Sequence, residues 1–97
     1  MMYRLRLYIT GQSAYSSTAI KNLESLCANE LRGIYKLEVV DILENPQLAE
    51  DEKIVATPTL VRLLPPPIRR LVGDLSDKTG VLLGLDLVPY KREKNEE

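Results

Sequence analysis

A chain of 97 residues and 11.0 kDa is long enough for one hydrophobic core and too short for a second catalytic lobe. Its formal net charge of −1, with 44% hydrophobic and 28% charged residues, attracts neither nucleic acid nor an anionic membrane, so the expected partner is a protein. With no histidine and one cysteine, the sequence lacks the usual metal ligands, the usual general base and any internal disulfide, and neither a metal nor a cofactor is expected.

The N-terminal segment MMYRLRLYIT alternates instead of forming an apolar run, so neither a signal peptide nor a membrane span is read and a cytoplasmic protein is expected. Tyr3, Leu5, Leu7 and Ile9 alternate with Arg4, Arg6 and Tyr8, the period of a strand with one apolar face. Gly11 breaks the strand. After a polar loop at 12–16, Ile20, Leu23, Leu26, Cys27 and Leu31 recur at helical spacing up to Gly33, with Ser16 or Ser17 available as N-cap. Residues 35–42, YKLEVVDI, read as a second strand, so the first half is a βαβ unit with parallel strands and a right-handed crossover. Asn45 as N-cap and Pro46 at the first helical position open a short helix. Its first turns are expected to carry Glu50, Asp51 and Glu52, where the helix dipole favours carboxylates. A single domain over residues 1–90 is expected, followed by a charged, disordered tail at 91–97.

Beyond Pro58 two readings compete. In one, residues 59–64 and 70–75 are antiparallel strands joined by a turn at Pro65, Pro66 and Pro67, and Ser76 caps a final helix carrying Lys78, Val81, Leu82 and Leu85. That order is βαβαββα. In the other, Ile68, Leu71, Val72 and Leu75 form a helical stripe and Val81, Leu83, Leu85 and Leu87 alternate as in a strand. Gly84 costs a helix about 1 kcal/mol relative to alanine and Asp86 is unfavourable in a strand, so local propensity penalises both readings about equally. Two packings so close in free energy are what a fold-switching protein requires; the residues alone equally fit ordinary helix/strand ambiguity in a short apolar run, the commoner case.

The stretch VATPTLVRLL at 55–64 is like the Thr-Pro turn that leads into a central strand of thioredoxin-like domains. The blocks NPQLAEDEKIVATPTLVRLLPPPIRR and VGDLS, followed by VLLGLDL, resemble the KaiB family of small clock proteins over residues 3–88. The triple proline followed by Ile68, Arg69 and Arg70, and the GLDL at 84–87, set this resemblance apart from a generic thioredoxin. It implies an α/β, thioredoxin-like, metamorphic protein. Its ground state would be a dimer or tetramer of βαββααβ order, the form a structure is expected to hold, and its fold-switched state a βαβαββα monomer. It also implies partners: a KaiC-type ATPase ring on which the switched form docks, KaiA captured there, and a competing sensor histidine kinase with a KaiB-like domain. This chain departs from the cyanobacterial pattern at GQSAYS (11–16), at Thr18 in place of an arginine and at Glu44 in place of a lysine. These departures weaken the case for KaiA capture more than that for KaiC docking, and fit a divergent paralogue or a homologue from a bacterium without KaiA.

Carried onto this chain, the resemblance makes Gln47, Glu50, Asp51, Lys53, Ile54, Arg69 and Arg70 the expected partner-binding residues. Pro58, Pro65, Pro66, Pro67, Gly84 and Asp86 are the expected fold-switch positions. Tyr3, Tyr8 and Tyr35, in or beside strands, are expected to face outward in a self-association surface, or else to cap the core. Catalysis is not expected. Cys27 falls on the buried stripe of the first helix, where thioredoxin-type enzymes instead place a cysteine at the helix start, and Ser13, Ser16 and Ser17 have no histidine to activate them. The alternative function is a thioredoxin-like interaction module in stress response or signalling, without a clock.

Overall fold

The computed structural model describes residues 2–32 and 34–88; the expected helix end at Gly33 and tail at 91–97 lie outside them. In chain order the elements are β1 (Tyr3–Ile9), α1 (Ala14–Leu26) with a π-helical continuation (Cys27–Leu31), β2 (Tyr35–Asp41), α2 (Pro46–Asp51), β3 (Thr59–Leu64), β4 (Arg69–Val72) and α3 (Lys78–Gly84). This is the βαβαββα order. The βαββααβ order expected of a resting state is not the one the structure holds.

One sheet runs β2-β1-β3-β4. β1 and β2 are parallel, with Tyr3 opposite Tyr35 and Ile9 opposite Asp41, as the βαβ unit requires. β3 lies antiparallel to β1, and β4 antiparallel to β3. The central position of β1 decides the packing. Tyr3, Leu5, Leu7 and Ile9 meet Leu23 and Leu26 from α1 and Val81 and Leu85 at α3 in one core. On the opposite face Tyr8, Val40 and Val61 form a second core with Leu48 from α2 and Ile54 just beyond it. The alternation in β1 therefore under-reads its burial: Tyr8 is fully buried as well, because α2 covers the second face. Tyr3 and Tyr8 correct the expectation of outward-facing tyrosines, being 4% and 0% exposed in the monomer. Tyr35 is half-buried against the first core.

Helix ends also move from their expected places. Ser13, not Ser16 or Ser17, caps α1: its Oγ accepts from the Ser16 N–H at 3.1 Å, which leaves Ser16 free to turn inward, where it is buried. Pro46 opens α2 directly after Asn45, as expected, but the Asn45 side chain donates to the Asp41 carbonyl at 3.1 Å instead of capping the helix, and the helix has six residues. Glu50 and Asp51 therefore stand in its last turn, at the disfavoured end of the dipole, and Lys53 leaves the helix at φ 56°.

The contested segment resolves in favour of strand then helix. Antiparallel pairing places Thr59 opposite Val72 and Val61 opposite Arg70, giving β3 a second neighbour in place of an open edge. β4 ends at Val72 instead of 75 because Gly73, at φ 139°, turns the chain while its N–H donates to the Pro58 carbonyl at 2.9 Å. Asp77, one residue beyond the expected Ser76, caps α3 by accepting from the Gly80 N–H at 3.0 Å. Past α3, Asp86 takes φ 53° and the Leu87 N–H donates to the Leu82 carbonyl at 2.8 Å. This left-handed closure buries Leu85 and Leu87 together and leaves Leu83 exposed, so the run of alternating leucines is a helix end and not a strand.

Candidate partner-docking surface

The end of the sheet where a thioredoxin-like domain would hold its thiol carries none. Thr10 Oγ1 and Thr57 Oγ1 are hydrogen-bonded at 2.6 Å there, and Ser13 is occupied as a helix cap. Cys27 lies wholly inside the core, and burial, with a smaller contribution from Glu24, pushes its thiol from 9.0 up to about 12. At neutral pH it is a small hydrophobe, as its place on the apolar stripe implies.

Most of the expected partner-binding residues do converge. Arg70 projects from β4 to the C-terminal end of α2, where Nη1 donates to the Lys53 carbonyl at 3.2 Å and Nη2 stands 4.0 Å from Glu52 Oε1. Along α2, Gln47 Nε2 donates to Asp51 Oδ1 at 2.8 Å. Ile54 sits beneath, packed on the second core, while Gln47, Glu50, Asp51, Lys53 and Arg70 are exposed. Arg69 does not join them. It pairs with Arg62 in the ladder and so lies on the opposite face from its neighbour Arg70. Two residues outside the expected set lie beside this group. Glu52 is the ion partner of Arg70, and Val55, 94% exposed, is a bare apolar side chain beside the charged group.

Two of the expected fold-switch positions, Pro67 and Asp86, are tied together by a residue the sequence reading passed over. Arg62 is 3% exposed; its Nη2 donates to the Pro67 carbonyl at 2.9 Å and its Nη1 to the Asp86 carbonyl at 3.1 Å. One buried guanidinium thus ties the triple-proline turn to the end of α3, and its Nε has no hydrogen-bond partner among the described residues. The signal was present as a lone charge inside the apolar run LVRLL. Gly84 lies against β4: a Cβ there would stand 3.2 Å from Leu71 Cδ1.

Residues 6–87 match the KaiB domain family. The chain belongs to the KaiB family. It is 56% identical over 86 residues to the circadian clock oscillator protein KaiB of Prochlorococcus marinus strain MIT 9303, covering 89% of this chain and 72% of that relative. To the KaiB of Rippkaea orientalis it is 50% identical over 96 residues, covering 98% and 92%. Among solved structures the N-terminal domain of Synechococcus elongatus SasA superposes with a TM-score of 0.72 at 26% identity, covering 86% of this chain and 80% of that one. The Drosophila melanogaster thioredoxin Deadhead gives the same TM-score at 16% identity, covering 90% and 82%, a likeness of fold alone. Membership of the KaiB family, on a thioredoxin-like scaffold, thus accounts for the Thr-Pro turn and the triple proline together.

Proposed function

We propose that this KaiB-family chain is a non-enzymatic timing regulator that, in the βαβαββα form, docks on a KaiC-type ATPase ring through the surface of α2 and β4. The observation that carries the reading is the convergence of Gln47, Asp51, Lys53 and Arg70 on one exposed face of a thioredoxin-like scaffold without thiol chemistry. The likeness to the SasA N-terminal domain supports a partner among clock proteins, and Thr18 and Glu44 argue against capture of KaiA. In this reading the chain exchanges with a self-associated βαββααβ form. Tyr3 and Tyr8, buried here, become available for self-association only when the fold changes. A partner that selects a minor form sees its affinity reduced by the fraction populated, so a gap of a few kcal/mol between forms turns binding into a delay.

The test is time-resolved binding to a KaiC ring, followed for hours by size exclusion or native mass spectrometry. A stoichiometric complex that forms slowly is the expected result. No complex at high protein concentration would overturn the KaiC reading and leave a KaiB-fold interaction module whose partner lies outside the clock.

A further inference from the structure

α2 covers only part of the sheet face on which it lies. Its six residues span about 9 Å at 1.5 Å per residue, against about 23 Å for the seven residues of β1 at 3.3 Å per residue. It packs at the end of the face marked by Tyr8, Val40 and Val61. By strand alternation, Arg4 and Arg6 on β1 and Lys36 and Glu38 on β2 share that face at its other end, where Arg4, Lys36 and Glu38 are exposed and Arg6 is half-buried.

The composition of this open half is unusual for a chain of net charge −1. Arg4 and Lys36 are register partners, a like-charge pair directly across two strands, which costs the sheet stability. Both are exposed, and neither has an ion pair among the described residues. Arg6 is held by the Tyr8 hydroxyl at 3.3 Å and by Glu38 at 2.9 Å; these bonds, the one to Tyr8 foremost, hold its guanidinium above its ordinary pKa. Glu38 is thereby spent on Arg6 and leaves the other two cations uncompensated. A shallow groove of about 340 Å³ runs between Arg4, Lys36 and Glu38, and Leu64, opposite Arg4 in the ladder and 46% exposed, supplies an apolar contact beside them.

We propose that this open half-face, built on Arg4, Lys36 and Leu64, is a docking surface for a carboxylate-rich segment of a protein partner, distinct from the α2–β4 surface and independent of whether KaiC binds there. Charge complementarity selects the occupant. Two unpaired cations beside an apolar side chain suit a segment carrying both carboxylates and an aliphatic residue, with the cations steering and orienting it. A single-stranded nucleic acid would want an exposed aromatic platform, and the tyrosine on this face, Tyr8, is fully buried. A membrane would want a broad apolar band, and Leu64 stands among cations.

Fluorescence anisotropy with a fluorescein-labelled peptide of glutamate and leucine tests the proposal, with an RNA oligonucleotide and phosphatidylserine vesicles as parallel probes. The peptide is expected to bind the parent protein with an affinity that falls as salt rises, and the R4E/K36E variant is expected to bind at least about tenfold more weakly. R4Q/K36Q, which removes the like-charge pair and is expected to melt no lower than the parent, is expected to bind more weakly as well and keeps the result separate from any loss of folding, and K21E, on the opposite side of the sheet, is expected to bind as the parent does. Equal binding by the parent and both double variants, no peptide binding at all, or binding of RNA or vesicles but not of the peptide would each overturn it.

Discussion

Asp77 shows how one side chain positions a contested element. Its carboxylate caps α3 at the Gly80 N–H, so Asp77→Ala is expected to cost about 1 kcal/mol of stability in a denaturant titration. Gly84→Ala acts on the same helix with opposite sign. Alanine lowers the helix cost by up to about 1 kcal/mol, and the new methyl meets only the tip of Leu71 at 3.2 Å, a half-buried side chain on an edge strand that can turn aside. The variant is therefore expected to favour the βαβαββα form and to speed complex formation with a KaiC ring; unchanged spectra and an unchanged binding rate would contradict this. Cys27 gives a pH dependence whose sign is determined. The folded state raises the thiol from 9.0 to about 12, so above 9.0 the unfolded chain releases a proton that the folded one keeps. The stability contributed by the neutral buried thiol is complete below 9.0 and is lost as pH rises toward about 12. Cys27→Ala removes that term, so the stability difference between parent and variant is expected to shrink as alkaline unfolding titrations move up through this window.

At the scale of elements, the link between α2 and β4 separates stability from recognition. The Arg70–Glu52 pair is long at 4.0 Å and both side chains are partly exposed, which places its contribution within about 1 kcal/mol. Arg70→Ala is therefore expected to leave the unfolding midpoint almost unchanged while weakening the proposed KaiC docking; a large loss of stability with normal docking would reverse that assignment. The elements themselves were unevenly legible. β1, α1, β2 and the start of α2 followed from periodicity and from Asn45-Pro46, because each is decided by residues within one turn or one strand. The burial of Tyr8 did not, since the second face of β1 is covered by α2 from 40 residues further along and no local pattern carries that. The caps shifted because the side-chain oxygens that reach the first-turn N–H groups belong to Ser13 and Asp77, while Ser16 turns into the core.

For the whole molecule, residues 68–88 carry the question of function. Ile68, Leu71, Val72 and Leu75 have helical spacing, yet here Ile68 and Val72 are exposed, Leu71 is half-buried and Leu75 is buried. The stripe is not used as a helix face in this arrangement. A sequence that keeps such a pattern while folding otherwise is legible only as an ambiguity, because local propensities balance and the decision rests on long-range terms. Those are the β3–β4 ladder, the burial of Leu75, Leu85 and Leu87, and the two carbonyls held by Arg62. The residues proposed for docking come from the family resemblance, whereas the positions of Glu52, Val55 and Arg62 depend on contacts that only the fold brings together.

On this reading the βαβαββα arrangement is the one that binds. The most direct measurement is solution NMR of the chain bound to a KaiC ring, reading cross-strand contacts and amide exchange over residues 59–88. The expected result is contacts between Thr59 and Val72 and between Val61 and Arg70, with helical protection at 78–84. A bound protein with helical contacts through 68–75 and strand contacts through 81–87 would contradict it.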